Sequence, residues 1–306
     1  MRQLRCSELR RKRFPGRFSV GRHAINVSLC KRHGKGNVDE LAKIPGVLKA
    51  VPKLGFANPS FGRRSVSFTL MLRAPFSLFA PFSNRIEVVL WTKADARPHA
   101  CVPKTPATPA CRHDVAGVLG ANEEACAEQV HGAKTLVVRD AVQYAPGADG
   151  LVTDRIGLAL SVRFADCQSF VVYAPSQHVI GVLHAGWRGL NAGAIRAFFE
   201  TFKREWNINP KNTWVAAGPS LCRKCAAFSD PERELPTIPS AFIAGKNVDL
   251  RGAADAQLFA LGLPPDHLER SPDCTYCNPG NYWTYRGGDR EEVKTGQTNR
   301  LGCVLL

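Results

Sequence analysis

Methionine is almost missing: Met1 and Met71 are the only two in 306 residues. No run of about 18 uninterrupted apolar residues occurs, which excludes a membrane-spanning helix read from sequence. Eleven cysteines are too few for a disulfide scaffold in a chain of this length. Their odd number leaves at least one thiol free, which points to a reducing, cytoplasmic compartment. Acidic residues are scarce in one region only. Residues 1–85 hold 18 Lys and Arg against 3 Asp and Glu, whereas residues 86–306 hold 23 of each. The net charge of +15 therefore belongs to the N-terminal part, and the rest is neutral. That distribution argues against nucleic acid as the partner of the neutral part.

What is present in residues 1–70 is Arg-rich and lacks the apolar segment of a secretory signal. A targeting peptide, a basic nucleic-acid arm, or upstream sequence translated ahead of Met71 all have this composition. The expectation is a dispensable leader over 1–70 and one folded domain over 71–306. No repeat at a period of 20–50 residues appears.

In the neutral part, strands are expected at 134–140, 157–164, 168–174, 178–183, 213–219 and 301–306, with helices at 188–206 and 248–263. Strands outnumber helices but alternate with them in places. The expected class is α/β, with α+β open, as a single domain with a central mixed sheet flanked by helices.

The chemistry sits at the ends of the apolar runs. Cys167 follows the strand at 157–164, His184 follows the one at 178–183, and His131 precedes the one at 134–140. Strand ends place side chains where sites are commonly built. Two histidines and one thiolate suit zinc with a fourth position open. The spacings of 36 and 17 residues are not those of a zinc finger. Buried packing residues, and a Cys167 nucleophile with His184 as base, therefore stay open as well. Asp149 is read as an orienting carboxylate, a ribose ligand or a plain turn residue, and Asp166 as a brace of its own turn. Arg188 is either a bidentate phosphate ligand or a solvated first-turn residue. Cys222–Cys225 and Cys274–Cys277 form a C-x-x-C…C-x-x-C set, a zinc-ribbon signal, but the intervening 48 residues exceed ribbon spacing.

The ordered segments "QVHG", "ADG", "FADCQSFVVY", "HAGWRG", "AAGPSLCRKC" and "CTYCNPGNYWTYR" resemble the bacterial polyphenol oxidase or laccase-domain family over residues 115–306. That family is understood as purine nucleoside phosphorylases with adenosine deaminase and methylthioadenosine phosphorylase activity. The resemblance implies a cysteine-hydrolase-like fold and His131, Cys167 and His184 as both catalytic residues and metal ligands. It implies zinc rather than copper, with phosphate as co-substrate, and purine nucleosides as small-molecule partners. Arg188, Arg286, Asp149 and Arg85 become candidate substrate-binding residues. Cys225 and Cys274 stand where cysteines recur in the family without a separate structural metal. Two departures concern phosphate: the family's "FSYRR" reads "WTYRG", with Gly287 in place of the second arginine, and its early "TRHGG" turn is reduced to "FSNR", which supplies only Arg85.

Three enzymatic functions follow, with a nucleic-acid-binding module built on the basic N-terminal arm as the rival of a different class. A zinc enzyme on purine nucleosides needs activated water for deamination, and cations holding phosphate for phosphorolysis. A Cys167–His184 hydrolase needs no metal. A copper phenol oxidase has the right His₂Cys set, but it lacks the many histidines of multicopper sites and any core methionine.

Overall fold

The computed structural model describes residues 72–73, 75–95, 115–121 and 123–306. The leader expected over 1–70 lies outside them. In chain order the first strands are β1 (Leu72–Arg73), β2 (Ile86–Trp91), β3 (Glu123–Ala127), β4 (Thr135–Val137), β5 (Val142–Ala145), β6 (Gly150–Thr153) and β7 (Leu158–Phe164). They are followed by β8 (Gln168–Ala174), β9 (Val179–Ala185), β10 (Trp214–Ala217), β11 (Ile243–Ala244), β12 (Asn247–Val248), β13 (Leu268–Arg270) and β14 (Asn299–Leu305). The helices are α1 (Val115–Leu119), α2 (Trp187–Asn191), α3 (Ala194–Trp206), α4 (Pro231–Glu234), α5 (Leu250–Ala260) and α6 (Arg290–Lys294).

The class expected from sequence holds: mixed sheets with flanking helices. Twelve of the strands divide, however, between two six-stranded sheets rather than one, and β11 and β12 pair by themselves. The first runs β1-β2-β14-β7-β3-β5 and the second β13-β10-β8-β9-β6-β4. Each mixes parallel and antiparallel pairs, as with β3 parallel to β7 and β14 antiparallel to it.

The long apolar runs explain the layering. β8 and β9 are buried along their whole length, which requires cover on both faces. On the inner face Val171 and Val182 meet Leu160, Val162 and Leu301 of the first sheet. On the outer face Phe170, Val172 and Leu183 pack under α3 and α5. The first sheet's outer face is closed by Val115 and Leu119 of α1 against Val89, Ala159 and Val304.

The helix expected over 188–206 is two helices. Gly193 between them takes φ 79°, a left-handed conformation that glycine adopts without a Cβ penalty. The resulting α3 lays Ile195, Phe198, Phe199 and Phe202 on the second sheet. Phe198 fills a groove made by two strand glycines. A Cβ on Gly181 would stand 2.6 Å from its ring and 3.0 Å from the Leu151 carbonyl oxygen. Gly181→Ala is therefore expected to cost about 1–3 kcal/mol by overpacking, read from denaturant melts. A change below ~0.5 kcal/mol would show that this helix seats loosely. No helix among the described residues is long and apolar enough to cross a membrane.

Candidate functional site

Three crossings from the first sheet to the second build the site: β3 to β4, β5 to β6, and β7 to β8. They supply His131, Asp149 and Cys167 respectively, and β9 supplies His184. The strand expected to stop at 183 continues through Ala185, so His184 is a strand residue. One imidazole nitrogen from each histidine and the Cys167 Sγ all lie within 4.8 Å of one another. The two rings meet edge to face at 5.0 Å.

Backbone register sets much of this. β6 runs antiparallel to β9 with Gly150 opposite Leu183, which brings Asp149 beside His184. The His184 amide donates to the Asp149 carbonyl at 2.8 Å, and Asp149 Oδ1 lies 2.9 Å from His184 Nδ1. The same carboxylate accepts from the amides of Val130, His131 and Gly132 at 3.2, 3.0 and 2.8 Å. One buried carboxylate thus orients one histidine and folds the loop that carries the other. Asp149 is fully buried, and both of its carboxylate oxygens are engaged by His184 and the loop amides.

Gln129, His131 and Asp166 all have positive φ, at 65°, 62° and 87°, conformations that cost free energy and cluster at functional sites. The Gln129 side chain holds its loop by a two-way bond to the Arg163 backbone, at 2.6 and 2.8 Å. Gly186 lies against the thiol: a Cβ there would be 2.6 Å from the Cys167 Sγ. Sequence reasoning passed over Gly186, although its place directly after the "HA" strand end marks a close approach.

Burial alone would push the Cys167 thiol up, but the charge of His184 and hydrogen bonds from His131 and His184 outweigh it and bring the thiol down to about 6. Burial likewise opposes a charged His184, yet the Cys167 thiolate and the Asp149 bond raise it to about 9. Burial also works against the Asp149 carboxylate. The bonds from His184 and the loop amides nevertheless keep it below the usual range. The signs define a window for the metal-free protein. The lowered thiol loses its stabilising charge as pH falls through about 6, and the raised imidazole loses its own as pH rises through about 9. Chelated protein should therefore alkylate at Cys167 at a near-constant rate from pH 9 to 7 and slow as pH drops through about 6. A tenfold fall per unit below pH 9 would contradict this.

Asp166 reaches much further than its own turn. It accepts from Thr275 Oγ1 and Thr284 Oγ1, both at 2.7 Å, and from the Arg286 amide at 2.7 Å. The C-terminal loop is thereby anchored to the residue before Cys167. The Arg286 guanidinium bonds the carbonyls of Ala227 and Cys225 and lies 5.0 Å over the Phe228 ring. Arg188, exposed in the first turn of α2, lies 4.3 Å over Trp187, and Trp187 meets Phe228 edge to face at 5.8 Å. The two arginines are thus linked through one aromatic pair. Arg85 is not near them. Its guanidinium bonds Pro175 O at 2.8 Å and His178 Nδ1 at 3.3 Å, in the turn at the far end of the β8–β9 hairpin. Its position ahead of β2 puts it there.

Fold and donor set together define an α/β protein with a His₂Cys centre at the crossings of two sheets. Residues 105–304 match the family described as multi-copper polyphenol oxidoreductase laccase, and the chain belongs to it. The chain is 33% identical over 195 residues to purine nucleoside phosphorylase YlmD of Geobacillus stearothermophilus, covering 56% of this chain and 69% of that protein. It is 34% identical over 169 residues to purine nucleoside phosphorylase ORF3 of Streptomyces griseus, covering 52% and 66%. Adenosine deaminase RL5, from an unknown prokaryotic organism, is 28% identical over 162 residues, covering 50% and 60%. The crystal structure of the Geobacillus YlmD superposes with a TM-score of 0.61 at 28% identity, over 77% of this chain and 95% of that one.

Proposed function

We propose that this chain is a zinc-dependent purine nucleoside phosphorylase acting on adenosine, inosine and methylthioadenosine, with adenosine deaminase activity, and that it works in the cytoplasm. The observation that carries the reading is the convergence of His131, Cys167 and His184 within 4.8 Å, with Asp149 behind one of them. The donor set fits zinc: two imidazoles, a thiol low enough to be a thiolate at neutral pH, and a fourth side left to solvent at the exposed His131. Bound there, zinc supplies a Lewis acid for activating water or the departing purine.

The chain's own residues do the rest. Asp149 holds Nδ1 of His184, leaving Nε2 for the centre. Arg188 and Arg286, joined through Trp187 and Phe228, are the cation pair proposed to hold phosphate for attack on the anomeric carbon. The relatives named purine nucleoside phosphorylase and adenosine deaminase support the substrate class. Copper chemistry finds less support. Among the described residues His178 is engaged by Arg85 and Tyr173, and His267 stacks on Trp214 at 3.9 Å. One His₂Cys set then remains, short of a multicopper site.

A second reading is favoured by one observation. Asp149, His184 and Cys167 form a carboxylate–imidazole–thiol series of the kind cysteine hydrolases use. Incubating the protein with adenosine or inosine, with and without phosphate, separates the two. Phosphorolysis yields free base and ribose 1-phosphate only when phosphate is present. Base release with free ribose, indifferent to phosphate, would hand the site to the hydrolase.

A further inference from the structure

We propose that Cys222, Cys225, Cys274 and Cys277 form a second metal centre, a structural tetrathiolate zinc site that clamps the loops leaving β10 and β13. The proposal goes beyond the function argued above and does not depend on it.

The long gap between the two C-x-x-C pairs disappears in the fold. β10 and β13 are parallel neighbours, with Val215 opposite Leu268 and Ala217 opposite Arg270. Their C-terminal ends therefore lie side by side. Each is followed within about one short turn by a cysteine pair, and the bridge between Ser220 and Cys274 keeps the two loops in step. Two pairs far apart in sequence become two halves of one site.

The spacing of the sulfurs is that of ligands. All four Sγ atoms lie within 4.8 Å of one another. Cys222 and Cys225 are separated by 3.6 Å, and Cys225 and Cys277 by 3.5 Å. A tetrahedron with zinc–sulfur bonds of about 2.3 Å has edges of about 3.8 Å. A disulfide needs about 2.0 Å, so the observed spacing is far from two crosslinks. Thiols are poor hydrogen-bonding partners for one another, and four of them gain little by converging unless a cation binds them.

The surroundings suit the charge of such a site. The Cys222 amide donates to the Cys274 sulfur at 3.3 Å, a bond that favours a thiolate ligand. Arg251 lies across both loops, bonding the carbonyls of Ser220, Pro272 and Asp273. Arg223 and Lys224 occupy the middle of the first pair. A zinc ion with four thiolates carries two negative charges, and these cations offset them. Four protein ligands leave no open position, so the site is structural.

Its reach extends to the other centre. Thr275, inside the second pair, donates to Asp166, and Asp166 precedes Cys167. Clamping the loops holds Thr275 in place and, through Asp166, the turn that presents the Cys167 thiol.

The test uses the full chain carrying His131→Ala and His184→Ala, purified under reducing conditions. Zinc content is measured by emission spectrometry, with X-ray absorption at the zinc edge and maleimide labelling read by mass spectrometry. One zinc per chain is expected, with four sulfur neighbours at about 2.3 Å. Cys222, Cys225, Cys274 and Cys277 should resist labelling until a chelator is added. Further substitution Cys225→Ser with Cys277→Ser should remove that zinc. The labelling arm needs no change at the cluster, so a folding failure of the serine variant leaves the test intact. No bound zinc in the double histidine variant would overturn the proposal. Immediate labelling of the four thiols, or a mass loss from disulfide formation between them, would overturn it too.

Discussion

Cys167→Ser is expected to remove one zinc per chain and abolish turnover, with no covalent adduct trapped from substrate. Three protein ligands leave no redundancy, and serine is a far weaker zinc ligand than a thiolate at neutral pH. The unsubstituted protein should show the reciprocal behaviour. Its Cys167 resists alkylation while zinc is bound and reacts readily after chelation, because the metal-free thiol titrates at about 6. His131→Ala and His184→Ala should lose the same zinc equivalent. Retention of that zinc in Cys167→Ser, or rapid alkylation of the untreated protein, would make Cys167 a nucleophile.

The second large effect is expected at Asp149, which touches no substrate in this account. Its carboxylate is fully buried and pairs with His184 while accepting from three loop amides. Asp149→Ala strands a buried imidazole and those amides together. Removing one partner of a buried pair costs about 3–5 kcal/mol. Loss of an orienting carboxylate also lowers metal affinity about 10–100-fold. Asp149→Asn keeps the volume but turns an amide toward donors, so it should weaken zinc binding with a smaller loss of stability. Stability comes from denaturant melts and zinc affinity from chelator competition. A variant that melts like the parent and holds zinc as tightly would remove Asp149 from the account.

Parts of this were legible before any coordinates. The runs ending at Phe164, Ala174 and Leu183 read as buried strands because strands covered on both faces need no polar alternation. The same logic set Cys167 and His184 at strand ends. It did not show that β7 and β8 lie in different sheets, since an apolar run does not say which sheet it joins. Gly193 hid inside a continuous helical pattern, because an isolated glycine is compatible with either a helix or a break. Asp149 had three readings in the sequence, and the register of β6 on β9, which sets it beside His184, is a long-range pairing that no local pattern carries. Asp166 bonds Thr275 and Thr284, more than a hundred residues away, and no local pattern carries that information. Arg85 was a candidate through resemblance alone, and its bond to Pro175 O in the β8–β9 turn is a contact across 90 residues that sequence does not reveal.

The most direct measurement follows inosine with phosphate by chromatography in three samples: protein as purified, protein stripped by chelator, and stripped protein given back zinc. Hypoxanthine and ribose 1-phosphate are expected in the first, neither in the second, and both again in the third. Hypoxanthine released at the full rate by the stripped sample would contradict it.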